Sequence, residues 1–250
     1  MPDAPPSRQA RRAGERVIAK RLRRVNKAIT NAQKSADIKA LLLPFGYDAA
    51  AWTHATAIHS DAITKVSAFN TAAGLQKAAT KEVKNTRLEL RQTCVDFAKI
   101  ARQQFERDDG AYTQLQLDQP VPRDVANLME HARMMFNTTD YTDATRTKLA
   151  KRSYNDAKLS GERAKIEALE IASDFQAEQI GAVKQASEDQ EQALAAMDAW
   201  MSEFTAVATV ALESKRQWLN KLGILARRGP TAAQRAAAAR RRKVVKMAVA

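Results

Sequence analysis

The sequence predicts an all-α protein, an elongated antiparallel helical bundle or coiled-coil hairpin of two ~60-residue helices. Three observations carry this expectation. Strong helix formers dominate the chain, and alanine alone makes up about a fifth of it. Eight glycines and seven prolines are too few to cut 250 residues into short elements. The strict alternation of Val, Ile and Thr that marks half-buried strands is missing.

Taken in order, residues 8–42 read as a first helix, with Val17, Ile18, Leu22, Val25 and Ile29 at helical spacing under a basic face. It must stop before Pro44, which cannot continue the hydrogen-bond ladder. In "LLLPFGYDAAAW", Pro44 and Gly46 make a turn and Asp48 is a good N-cap. Tyr47 and Trp52 flank that cap with the spacing of a hydrophobic staple. The second helix then runs to Asp109–Gly110 through Trp52, Ile63, Val66, Phe69, Ala73, Val83, Leu90, Phe97 and Ile100, with Asn70 and Gly74 as places to bend.

"LDQPVPRDV" reads as an extended linker, followed by a short helix from Pro122 to Phe136. "NTTDYTD" breaks it. Ser160–Gly161 is read as a further break, after which residues 162–222 match residues 48–108 in length. Ile180, Val183, Leu194, Met197, Met201, Phe204, Ala208, Ala211, Trp218 and Leu222 hold heptad spacing there, with Ser187 and Gln190 as polar steps. A hairpin of the two long helices would set Trp52 near Trp218, and Phe97 or Phe105 near Ile166 and Leu169. Gly229–Pro230 ends the series, and Thr231 with Gln234 has capping-box spacing at the start of a tail with little to bury.

Charge divides the chain more sharply than hydropathy does. The whole carries 41 Lys and Arg against 28 Asp and Glu, a net +13. Residues 1–34 hold ten cations against two acids, and residues 215–250 hold eleven against none. The body between them is therefore acidic, at −6. The expected organisation is a basic N-terminal segment over 1–43, a helical bundle body over 44–228 and a basic Ala/Arg/Lys-rich tail over 229–250.

Chemistry is sought in this sequence and mostly not found. His54 and His59 are five apart on one helix, His131 stands alone, and no Glu-x-x-His pair serves a di-iron site. His59 reads as a core-edge histidine bonded to a neighbour. Cys94 has Arg91 nearby to lower its pKa, yet no base accompanies it, so a buried small hydrophobe is the expectation. Met129, Met134 and Met135 read as core filling. Glycine-rich phosphate loops are absent. The reading is non-catalytic, without cofactor, metal or small-molecule substrate. The lone cysteine fits a reducing compartment, hence a cytoplasmic protein. The arginine-rich, acid-poor start also fits a mitochondrial transit peptide.

Polyanion contact is the functional expectation, on Arg8, Arg11, Arg12, Arg16, Arg21, Arg23, Arg24, Arg227, Arg228, Arg235, Arg240, Arg241, Arg242, Lys243 and Lys246. Nucleic acid bound non-specifically through phosphates is the first candidate, because the tail carries no aromatics for stacking. An anionic membrane surface or an acidic protein is the alternative. Self-association is expected as well, since two lone long helices expose an apolar flank unless a third helix or a second copy covers it.

The block "ALAAMDAWMSEFTAVATVALESKRQWLNKLGI", with "LLLPFGY" and the long helix after it, resembles a group of uncharacterised bacterial long-helix bundle proteins. The resemblance spans residues 40–225. It implies a helical bundle and no known activity.

Overall fold

The computed structural model describes residues 8–105 and 110–224, with side chains from Gly14 onward in the first helix. Among the described residues eight α-helices and three single 3-10 turns form an all-α bundle, in which two helices of 53 and 56 residues far exceed the others. None of the described helices is long and apolar enough to cross a membrane.

Helix α1 (Arg8–Lys34) ends because Ser35 turns extended, with φ −99° and ψ 109°, and offers its hydroxyl to the Ile38 N–H. The single helix expected over 8–42 is thus two, the second being α2 (Ala36–Leu42). A serine able to satisfy a free amide competes well with one more turn of helix. Leu43–Phe45 form a 3-10 turn around Pro44, and Gly46 closes it at φ 87°, a left-handed conformation that glycine adopts without a Cβ clash.

Helix α3 (Ala49–Ala101) opens as the sequence indicates. The Asp48 carboxylate accepts from the Ala51 N–H at 2.8 Å, and Tyr47 packs on Trp52 with ring centroids 5.3 Å apart. It passes Asn70 and Gly74 without a break and stops at Ala101, short of the expected Asp109–Gly110. The Arg102 guanidinium then ties the chain to the Leu117 carbonyl at 2.8 and 3.0 Å.

Three short helices follow: α4 (Gly110–Gln114), α5 (Val125–Met135) and α6 (Asp143–Ala150). The expected start of α5 at Pro122 is corrected to Val125. Asp124 is its cap, accepting from the Asn127 N–H at 2.9 Å, and a capping carboxylate outweighs the preference of proline for a first helical position. Thr142 caps α6 in the same way.

Helix α7 (Asp156–Ala211) starts from an Asn155 side chain that accepts from the Lys158 N–H at 2.9 Å. It runs straight through Ser160 and Gly161, so the break expected there does not exist. Leu159 and Glu162 on either side are both buried, and their packing outweighs the ~1 kcal/mol that a helical glycine costs. At the far end α7 stops at Ala211. A 3-10 turn at Glu213–Lys215 separates it from α8 (Gln217–Lys221), and Gly223 ends the segment at φ 73°.

The chain divides into two compact units. Among described residues, one comprises 8–66 with 190–224 and the other 67–105 with 110–189. The first unit is built on an aromatic knot. Phe204, fully buried, meets Tyr47, Trp52 and Trp200 with centroids 5.1–5.8 Å apart, and Val25, Ala28, Ile29 and Ala32 of α1 join the same cluster. Trp52 was expected against Trp218. Its rings are instead Tyr47 and Phe204, because the helix ends before Trp218, which sits half-buried at the edge of that cluster.

In the second unit Phe97 packs edge-on against Phe136 and Tyr154, and Phe105, Ile166 and Leu169 share its core as expected. Here α3 and α7 run antiparallel. Lys165 reaches the Thr93 hydroxyl at 3.0 Å, and eleven residues later Gln176 reaches Thr80 at 3.1 Å.

Replacing Phe204 by Ala removes the ring shared by three aromatic neighbours. We expect a loss of about 3–5 kcal/mol in urea unfolding, against about 1 kcal/mol for Asp48→Ala. Equal losses would show that the cap, not the knot, limits the first unit.

Candidate polyanion interface

In the first unit α1 presents two faces that do not mix. Ile18, Leu22, Val25, Ile29 and Ala32 recur every three or four residues and pack into the core cluster. Arg16, Lys20, Arg23, Lys27 and Lys34 each stand two residues from one of these, about 200° around the helix, and all five are exposed. They make a single ridge of cations along about 27 Å of helix axis. Glu15 is the one acid in the helix sequence, and it lies off that line.

Arg21, counted among the candidate contacts, serves a different purpose. It is half-buried, ion-paired to Asp198 of α7, and its Nη2 reaches the Leu194 carbonyl at 3.5 Å. That arginine fastens α1 to α7. Arg24 is exposed beside the same pair, on a hollow also lined by Met201, Ser202 and Thr205.

The ridge runs into a notch lined by Lys27, Asn31, Lys34, Ser35 and Lys221. Asn31 donates its side-chain amide to the Lys221 carbonyl, which holds the end of α8 against α1. The Lys27 stem lies 3.4 Å from where a side chain on Gly223 would begin, an ordinary van der Waals contact, and it is the turn at φ 73° that calls for glycine there. Three lysines from two sequence-distant segments converge on a hollow whose lining has no acid. Lys215 adds a cation 4.2 Å above the Trp218 ring.

Lys20, Lys27, Lys34 and Lys221 were not singled out from sequence, although the spacing 16, 20, 23, 27, 34 was legible once cations are read with the same period as apolar residues. Arg8, Arg11 and Arg12 belong to the first two turns of α1. Arg227, Arg228, Arg235, Arg240, Arg241, Arg242, Lys243 and Lys246 lie outside the described residues, as does the capping pair Thr231 and Gln234. Among described residues the first unit holds fifteen Lys and Arg against eight Asp and Glu, a net +7, and the second seventeen against sixteen, a net +1.

The remaining reactive groups have structural occupations. His59 Nε2 lies 3.2 Å from the Leu22 carbonyl, the core-edge bond expected of it. His131 is buried, and burial holds its pKa below the ordinary value, so it is neutral at pH 7. Cys94 is fully buried, and burial, with the Glu162 carboxylate nearby, pushes its thiol up to about 12. Arg91 does not lower it. Among the described residues no group of three or more His, Cys, Asp and Glu side chains is placed to hold a metal ion.

Sequence reading missed Glu162, whose side chain is 5% exposed between Lys158 and Lys165 at 2.8 and 2.7 Å. Burial raises its pKa, but the hydrogen bonds and charges of the two lysines outweigh that and hold it below the ordinary value.

No family model matches this chain, and no curated protein or solved structure proved similar to it.

Glu162→Gln should lower stability at pH 7 by about 1–3 kcal/mol, since it leaves two lysines facing a neutral amide. The sign with pH follows from a depressed carboxylate. Its contribution is fully present above the unfolded value of about 4.3 and is lost as pH falls through the lower folded value. Urea unfolding at several pH values should therefore show the variant and parent converging in acid. A constant gap would remove the charge from the account.

Proposed function

We propose that the chain is a non-catalytic helical scaffold whose basic ends contact nucleic acid through its phosphates. The observation that carries this reading is the ridge of Arg16, Lys20, Arg23, Lys27 and Lys34, exposed along one line of α1 with the lysine notch at its end. Side chains three or four apart on a helix stand 5–6 Å from one another, close enough for several to act on one polyanion strand at once. Such contacts position a duplex without reading its bases.

The basic residues beyond Ile224 extend the same character by sequence. Eight cations fall between 225 and 250, and no acid accompanies them. A chain with this composition gains from a polyanion, which relieves its self-repulsion.

An anionic membrane surface answers the same charge, but α1 suits it less. A helix that lies in a bilayer interface inserts its apolar face. The apolar face of α1 is already spent, because Val25, Ala28, Ile29 and Ala32 are buried in the protein core. Among the described residues of α1, Val17 is the one large apolar side chain left exposed beside the cations.

The test is duplex DNA binding between about 50 and 200 mM salt, with anionic vesicles as a parallel ligand. Each neutralised phosphate contributes about 0.9 to the slope of log affinity against log salt. We expect R16Q/R23Q/K27Q to flatten that slope by about 3, and truncation after Arg228 to flatten it further. Slopes unchanged in both variants would overturn the reading. Vesicle binding with no DNA binding would transfer the site to membranes.

A further inference from the structure

We propose, resting on the polyanion reading for how a strand arrives, that the notch at the end of α1 is a phosphomonoester site. It takes the doubly charged phosphate at the end of a nucleic-acid strand or on a free nucleotide.

The notch gathers like charges and supplies no acid. Lys27, Asn31 and Lys34 follow one another at four and three residues, so they share one face of α1. Ser35 comes next, and Lys221 arrives from the end of α8. Among the described residues no carboxylate pairs with any of the three lysines, whereas Arg21 on the same helix meets Asp198. No acid therefore draws Lys221 to α1, and like charges oppose its approach. Packing brings it there. The Asn31 side-chain amide donates to the Lys221 carbonyl. Leu219, Leu222 and Ile224 around it are buried in the same core as Val25, Ala28 and Ile29.

The lining narrows the ligand. Each lysine offers three N–H donors. Asn31 uses one amide hydrogen on the Lys221 carbonyl and keeps a second. The Ser35 oxygen accepts from the Ile38 N–H, which leaves its own hydrogen to donate. Donors and three positive charges suit an anion with several oxygens on one atom. A carboxylate or a bridging phosphodiester brings two free oxygens and one charge. A sulfate ester brings three oxygens but again one charge. A phosphomonoester brings three oxygens and a charge of about −1.5 to −2 at pH 7. Of these it comes nearest to the charge of the notch.

Placement suits an end more than a passing strand. The cations from Arg16 to Lys34 make one line, and the line stops where Ser35 turns the backbone extended. Phosphates along the ridge are diesters, and the group past the last of them is the terminal one. Lys221 also stands 5.6 Å from the centre of the half-buried Trp218 ring, which exposed Lys215 covers at 4.2 Å. A base that displaces Lys215 stacks on that ring beside its own phosphate.

The test compares a duplex bearing 5′-phosphates with a 5′-hydroxyl duplex lengthened until total charge matches, using the full chain. Calorimetry with a nucleoside monophosphate covers the free ligand. We expect the parent to prefer the phosphorylated duplex by about 10-fold or more, and K34Q/K221Q to bind both alike. Both lysines are exposed and the Asn31 contact uses the Lys221 backbone, so this variant should keep its helical circular dichroism. R16Q/R23Q should weaken both duplexes together and keep the preference. A mononucleotide bound by the parent and not by K34Q/K221Q, with no preference between duplexes, would sustain the site and assign it to free nucleotides. Duplexes bound equally with no mononucleotide bound would overturn the notch and leave the ridge standing. A preference that survives K34Q/K221Q would overturn it as well. Phosphorylated ligands bound while the hydroxyl duplex is ignored would remove the ridge and keep the notch. If nothing binds, both fall.

Discussion

Alanine sets the terms on which this protein folds. It favours helix more than any other residue, so helices of 53 and 56 residues form with little local opposition. It also buries little area, and a helix pair faced with alanine gains little by closing. The deficit falls on a few large side chains. Half of the fourteen aromatic residues sit in two clusters: Tyr47, Trp52, Trp200 and Phe204 in one unit, Phe97, Phe136 and Tyr154 in the other. Each joins segments that are remote in sequence. Helix length comes from propensity, and helix partnership comes from these rings.

The same economy explains how charge is used. Where α1 packs, one arginine, Arg21, reaches Asp198 and the end of the Leu194 peptide. The other described cations of the helix stay in water, where a helix of net +9 by sequence remains soluble yet self-repelling. In the second unit the opposite choice is made once. Glu162 is drawn out of water and is met there by two lysines, Lys165 half-buried and Lys158 still exposed. An isolated buried carboxylate would cost several kcal/mol, so the lysines are a condition of that core rather than an ornament of it.

Much of the architecture was legible because it rests on local chemistry. Asp48, Tyr47 and Trp52 announced the start of α3 through cap and staple spacing, and both contacts are present. The misreadings share a cause. Ser160–Gly161 reads as a break by composition, but buried Leu159 and Glu162 hold the helix through it. Ser35 reads as one polar residue in a long helix, but its hydroxyl ends one helix and caps the next. Trp218 keeps heptad spacing with α7 yet belongs to α8, since the helix has already stopped. In each case a tertiary contact or a single side-chain bond decided between two backbone states of similar energy. The candidate interface was half legible: its arginines were visible as a charge excess, but the lysines that complete the ridge and notch needed a helical phase and a second segment of chain to place them.

The single thiol has a use that follows from where it lies. Cys94 is enclosed, held protonated, and surrounded by the core that Phe97 and Ile166 complete. A modifying reagent needs both access and thiolate, and the closed structure denies it both. Labelling therefore waits for this core to part, and when reclosing is fast its rate measures the equilibrium between shut and open. The chain thus carries its own gauge of local opening in the second unit, read at a native thiol.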